Sequence, residues 1–191
     1  MPTKLRLGET LTEGRGAGSL PEVGKNAAIE SIQELKNILG KNTKMVFITA
    51  GMGGGTGTGG APVVARVAKE VGALTIGVVT KPFKFEGKRR MSAAEKGLAS
   101  LVEEVDSLVT IPNQKLYEIL GEDTPMQDAF AKADDVLKGA VQGISDIIIH
   151  NLQKLDITKR PLHCSDYKRE IMYIKDKDIW EKDTEQKERL R

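Results

Sequence analysis

The residues predict an α/β fold in three layers, a parallel sheet flanked by helices. Three observations carry that expectation. Short, continuous apolar runs at residues 45–49, 74–79 and 107–111 have the texture of strands buried on both faces. The stretches between them repeat apolar residues at helical spacing. Strand, helix, strand, helix, strand in that order implies right-handed crossovers and parallel pairing. In such sheets ligands gather beyond the carboxyl ends of the strands.

Residues 1–20 hold two glycine-rich pieces, Gly14-Arg15-Gly16-Ala17-Gly18 among them, and read as loop. Residues 21–39 read as one helix, with Val23, Ala27, Ile32, Leu35 and Leu39 on its apolar side and Gly40 as its stop. After the first strand comes a glycine run. Pro62 then suits the first turn of a helix whose Val63, Val64, Val67, Ala68 and Val71 share a side and which ends at Gly72. Beyond the second strand, residues 81–87 form a loop. Met91, Ala94, Leu98, Leu101, Val102 and Val105 mark the next helix. Pro112 ends the third strand, and residues 114–120 make a short helix. Thr124-Pro125-Met126-Gln127 has the form of a capping box with proline in first position. The long helix that follows carries an apolar stripe from Met126 to Ile148, wide enough to predict burial.

The texture changes near residue 150. Residues 151–191 hold 11 Lys or Arg against 9 Asp or Glu, with little apolar periodicity. They read as a charged tail, with a short strand at 169–175 and a solvated helix at 178–191. His163, Cys164 and Asp166 lack a second pair of ligands at metal spacing, so no metal site is expected. Tyr167, Tyr173 and Trp180 read as packing residues of that tail.

Composition narrows the function. The chain has 191 residues, 39% hydrophobic and 29% charged, with a net charge of +2. So weak a field does not imply a nucleic-acid partner. No apolar stretch is long enough to span a membrane, and the first residues lack a signal region. A single cysteine, Cys164, fits a reducing, cytoplasmic setting.

The chemistry concentrates at Gly53-Gly54-Gly55-Thr56-Gly57-Thr58-Gly59, where five of seven residues are glycine. Glycine admits positive φ and close approach of an anion to the backbone. Successive N–H groups form an anion-binding nest, and the helix that follows adds its positive end. Thr56 and Thr58 offer hydroxyls. No lysine follows the turn, which sets it apart from the Walker pattern. A strand-to-helix turn with no ligand is the competing reading.

The same run is the signature of the FtsZ/tubulin family, and the chain resembles FtsZ, the bacterial relative of tubulin. The resemblance continues through Thr80-Lys81-Pro82-Phe83, Phe85-Glu86-Gly87-Lys88-Arg89-Arg90-Met91, Ile111-Pro112-Asn113 and residues 133–144, and upstream through Gly16-Ala17-Gly18 and Pro21-Glu22-Val23-Gly24. It covers residues 5 to about 149, placing a partial GTPase domain at 1–149 and an unrelated tail at 150–191. It implies GTP or GDP as ligand, allows Mg2+ with the nucleotide, and implies self-association into a cell-division filament. Gly16, Ala17 and Gly18 would meet the terminal phosphate. Gly53 to Gly59 would hold the phosphates, with Gly55, Thr56 and Gly57 the main contacts. Glu86 and Arg90 would lie near ribose and phosphates. Asn113 and Asp134 would read guanine, with Phe130 against the base. Glu86 and Arg90 also fit a surface ion pair, Phe130 also fits helix packing, and Asn113 also fits a turn after Pro112. Lys88 and Arg89 read as a solvated basic loop.

Two departures from the family bear on activity. The resemblance implies a strand and a further glycine loop ahead of residue 1, so the pocket is expected to be incomplete. It also implies an Asn-x-Asp-x-x-Asp loop after the long helix, whose carboxylates act in the next subunit's pocket. Here Asp156 matches the middle acid and is the candidate catalytic residue, while Lys154 and Lys159 stand at the other two places. An ammonium has no lone pair with which to orient water. GTP hydrolysis is therefore expected to be weak or absent in this chain alone. An alternative is a non-hydrolysing fragment that caps full-length filaments.

Overall fold

A computed structural model describes residues 3–40, 42–121 and 124–154. The chain divides into two compact units, residues 1–142 and 143–191. In the second, the described residues 143–154 are helical. The first carries the sheet and the elements around it.

The elements run α1 (Glu9–Thr12), α2 (Pro21–Glu30), α3 (Ile32–Leu39), β1 (Met45–Gly51), α4 (Thr56–Glu70), β2 (Leu74–Lys81), a 3-10 turn (Lys84–Glu86), α5 (Lys88–Glu104), β3 (Ser107–Pro112), α6 (Asn113–Leu120) and α7 (Met126–Lys154). The three strands pair in parallel in the order β1-β2-β3. Met45 stands opposite Leu74, and Gly51 opposite Thr80. Lys81 stands opposite Pro112, so the carboxyl ends of all three strands lie along one edge.

Burial explains why the strands were legible. The central strand β2 is buried along seven of its eight residues. On one face of the sheet Ile48 and Val79 pack with Ala61 and Ala65 of α4 and with Ala94, Leu98 and Leu101 of α5. Each fully buried aliphatic side chain there contributes about 1.5–3 kcal/mol. A second cluster joins Phe83 to Ala129 and Ala133 of α7, with Leu116 and Tyr117 of α6 alongside.

Five expectations are corrected. The single helix at residues 21–39 is two helices that bend at Ser31. Its hydroxyl accepts a hydrogen bond from the Gly8 N–H at 3.3 Å, and the residue is buried. Residues 1–20 are not all loop, because Glu30 accepts from the N–H groups of Thr10 and Leu11 and so caps α1 from a distant helix. Helix α4 starts at Thr56, which leaves Pro62 inside it rather than in its first turn. The Thr124 hydroxyl does not cap α7. It donates back to the Leu120 carbonyl at 3.0 Å, while the Pro125 carbonyl accepts the first amides of the helix. The apolar stripe of α7 is also less covered than its width predicts: Met126 is 59% exposed and Phe130 38%.

Candidate functional site

The glycine turn leaves β1 at the carboxyl edge and is fastened at once to its neighbours. The Met52 N–H donates to the Thr80 carbonyl at 3.0 Å, which extends the sheet by one residue. Gly53 takes φ 104°, a left-handed value that favours glycine. Its N–H donates to the Thr58 hydroxyl oxygen at 2.8 Å. Thr58 is buried, so its hydroxyl acts as the latch of the turn and is not presented to solvent. Thr56, by contrast, is exposed.

Helix α4 begins without a side-chain cap, from Gly55. Its first intrahelical bond runs from the Gly59 N–H to the Gly55 carbonyl at 3.0 Å. The N–H groups of Thr56, Gly57 and Thr58 precede that bond and are the unsatisfied donors of the helix start. Together with the helix dipole they form an anion-binding end.

The glycines of the turn do two kinds of work. A Cβ on Gly55 would stand 2.7 Å from the Ala17 Cβ, one on Gly57 2.7 Å from the Gly51 carbonyl oxygen, and one on Gly53 2.8 Å from the Arg90 carbonyl oxygen. A Cβ on Gly59 would fall on the Pro21 carbonyl, and one on Gly24 on the Gly55 carbonyl. These glycines let α2, the Gly16–Gly18 loop and the start of α5 close onto α4. Only Gly54 in the turn, with Gly16 and Gly18 in the neighbouring loop, would carry a Cβ into open space. Ala17 is buried, and its carbonyl accepts from the Leu20 N–H at 2.9 Å, which closes that loop into a turn, while its side chain lies against Gly55 at the start of α4.

Arg6, Gly16, Ala17 and Thr56 share the lining of a cleft of about 250 Å³. Arg6 was not singled out from the sequence, where an isolated arginine carries no signal. A larger hollow of about 590 Å³ lies along α4 and α5 and meets the turn only at Thr58 and Gly59.

Glu86 and Arg90 come together as an ion pair at 2.6 Å. Glu86 also accepts from the Phe83 N–H at 2.8 Å, which closes the 3-10 turn on itself. The same loop is tied to α6 by the Lys84 N–H, which donates to the Gln114 side chain at 3.0 Å. Glu86 is thus held by two partners, while Arg90 keeps 48% of its side-chain surface exposed.

Asn113 opens α6 directly after Pro112 and is 5% exposed. Its Oδ1 is buried without a hydrogen-bond partner. Such an atom costs about 1–3 kcal/mol unless something donates to it. Phe130 meets the Phe83 ring edge-on at 5.2 Å and lies 6.1 Å from the Phe85 ring, so it joins an aromatic cluster while keeping an exposed face. Asp134 lies one turn further along α7 and is exposed. Asp156 lies outside the described residues. Among the described residues no group of three acidic, histidine or cysteine side chains is placed to hold a metal.

The glycine turn and Asn113 therefore follow β1 and β3 at the carboxyl edge of the sheet, about 10 Å apart. Asp134 is not tied by any described contact to the glycine turn.

Residues 1–121 match the Tubulin/FtsZ family, GTPase domain. The Cell division protein FtsZ of Pseudomonas putida is 60% identical over 146 residues, which are 76% of this chain and 36% of that protein. The chain thus spans little more than a third of that relative's length. Among solved structures, the one titled "FtsZ dimer, empty" from M. jannaschii gives a TM-score of 0.71 at 51% identity, over 74% of this chain and 40% of that one. The GDP-bound monomer of CetZ1 from Haloferax volcanii gives 0.62 at 25% identity, over 69% and 41%. An open glycine turn on β1, a buried acceptor on α6 and these likenesses agree: the chain belongs to the Tubulin/FtsZ family, within its GTPase domain.

Proposed function

We propose that the chain binds GTP or GDP along the carboxyl edge of its sheet, as part of an FtsZ-like protein that forms cytoplasmic cell-division filaments. The observation that carries this reading is the buried, unpartnered Oδ1 of Asn113. A guanine edge supplies N–H donors, and an amide there both donates and accepts. The Asp134 carboxylate would take the remaining guanine donors, and Phe130 would lie against the base. Adenine lacks that donor pair, so GTP is favoured over ATP. The phosphates would sit at Gly53 to Gly59 and Gly16 to Gly18, with the free N–H groups of α4 toward them and Arg90 nearby. Mg2+ would arrive on the phosphates.

Titration with fluorescent GTP, with ATP as competitor, tests the reading. Displacement by ATP as effective as by GTP would overturn it.

Turnover is a separate matter. In the family pattern Asp156 is flanked by acid and amide, and here by Lys154 and Lys159. Lysines can hold phosphate charge but cannot orient the attacking water. On this reading hydrolysis by the chain alone is impaired; the alternative is a non-hydrolysing fragment that acts on full-length filaments by capping them. Robust turnover that disappears in Asp156→Ala would sink the impairment. Unchanged pelleting of a full-length relative on addition of the chain would sink the capping.

A further inference from the structure

The hollow between α2, α4 and α5 is left unused by the nucleotide reading. It follows one side of α5 from Arg89 to Glu104, with Pro62 and Val63 of α4 as its floor and Lys25 of α2 on the facing wall. Two contacts fix its shape. Gly97 packs directly on Thr58, so α5 touches α4 there with no side chain of its own between them. Arg66 of α4 pairs with Glu104 of α5 at 2.5 Å and closes the far end.

Its charges are uneven. Lys25, Arg89 and Lys96 line the half nearer the glycine turn, and among the described residues none of them has a carboxylate partner. The acid lining that half is Glu22, so the cations outnumber it three to one. The other half holds Glu103 and the Arg66–Glu104 pair, with no excess of positive charge. Exposed cations alone mark a solvated face. Here they come from two helices and border one apolar floor, where Pro62 and Val63 are buried. Arg90 turns to Glu86 instead, so the basic run at 88–90 divides between two sites.

Size restricts the occupant. From Arg89 to Glu104 the helix rises about 22 Å. About 590 Å³ over that length leaves a cross-section of about 30 Å², where a helix with its side chains needs about 80 Å² or more. The hollow admits one extended chain and excludes a helix. In an extended chain successive side chains face opposite ways. Alternating acidic and apolar residues would therefore set one kind on the floor and the other toward the walls.

We infer that this hollow receives an extended acidic segment of a partner protein, its carboxylates at Lys25, Arg89 and Lys96 and its apolar side chains on Pro62 and Val63. Apart from Thr58 and Gly59 the site shares no residue with the nucleotide reading, and it does not depend on that reading.

The test is an NMR titration of the full 191-residue chain with the peptide glutamate-valine-glutamate-valine, blocked at both ends to remove its terminal charges. The expected result is a shift of amides at residues 22–25, 59–66 and 89–97, with Kd below about 1 mM. Lys25→Ala and Lys96→Ala should each weaken binding by about fivefold or more. Both side chains are exposed, so the fold is kept, and the spectrum itself reports it. Lys69→Ala, an exposed lysine of α4 outside the hollow, should leave the affinity unchanged. No shifts, shifts confined to residues 53–57, equal binding of lysine-valine-lysine-valine, the same shifts from inorganic phosphate alone, or full affinity in both hollow variants would each overturn the inference.

Discussion

The glycine turn has an inner and an outer side, and they use the same residue type for opposite ends. On the inner side Gly55, Gly57 and Gly59 lack a Cβ because protein occupies the space it would need. On the outer side Gly54, like Gly16 and Gly18 in the adjoining loop, lacks one and leaves the space empty. The first set sets how closely α2 and α4 approach. The second leaves backbone uncovered beside the helix start. A missing side chain in a phosphate-type motif is therefore two different signals, and the space around it separates them.

The inner side is the one to break first. Gly59→Ala places a methyl against the backbone of Pro21, which cannot rotate away. Overpacking of this kind costs about 3 kcal/mol or prevents folding, read as a lowered urea midpoint. Thr58→Val keeps the shape of the latch but leaves the Gly53 N–H buried without an acceptor. That change should cost about 1–3 kcal/mol by the same measurement. A change on the ligand side moves binding instead. Asn113→Ala should weaken guanine nucleotide by about tenfold, roughly 1.4 kcal/mol, with no loss in the urea midpoint. Gly54→Ala sharpens the contrast further, with a stability change of less than about 1 kcal/mol and a clear loss of nucleotide affinity in the same titration.

The smallest effect belongs to Glu30. The hydrogen bond from the Thr10 N–H, with help from Leu11, holds its carboxyl below the usual glutamate range. Its contribution is complete above about pH 4.3 and is lost as pH falls through the lowered value. Glu30→Gln should lose that small contribution at neutral pH, flatten the acid limb of stability in that window and leave stability below it nearly unchanged, as followed by circular dichroism.

What was legible in the residues follows from how local each cause is. The three strands stood out because a parallel strand buried on both faces must be apolar throughout, as β2 is. The bend at Ser31 was hidden because its hydroxyl answers to Gly8, 23 residues away. Helix α1 was hidden because Glu30, from another helix, holds its first amides. The start of α4 was hidden because glycine is a poor helix former, so a helix that begins Thr56-Gly57-Thr58-Gly59 looks like loop. In α7 the period marked the apolar face correctly but carried no information about what covers it. At the site, the motif placed the turn and Asn113 on one edge, and the Glu86–Arg90 ion pair was an open alternative that the structure contains. The presence of Arg6 in the cleft was not readable, since it depends on neighbours far along the chain; the latch role of Thr58 was missed although its partner, Gly53, is five residues away in the same turn.

The unpartnered carbonyl of Asn113 has a consequence for how such a chain can change over time. Stability alone would favour an apolar residue there, because burying a lone acceptor is a standing penalty for the empty protein. If Asn113 reads guanine as proposed, any drift toward a sturdier empty fold at this position would erase the ability to tell one purine from another. Robustness and discrimination would then be opposed at a single side chain.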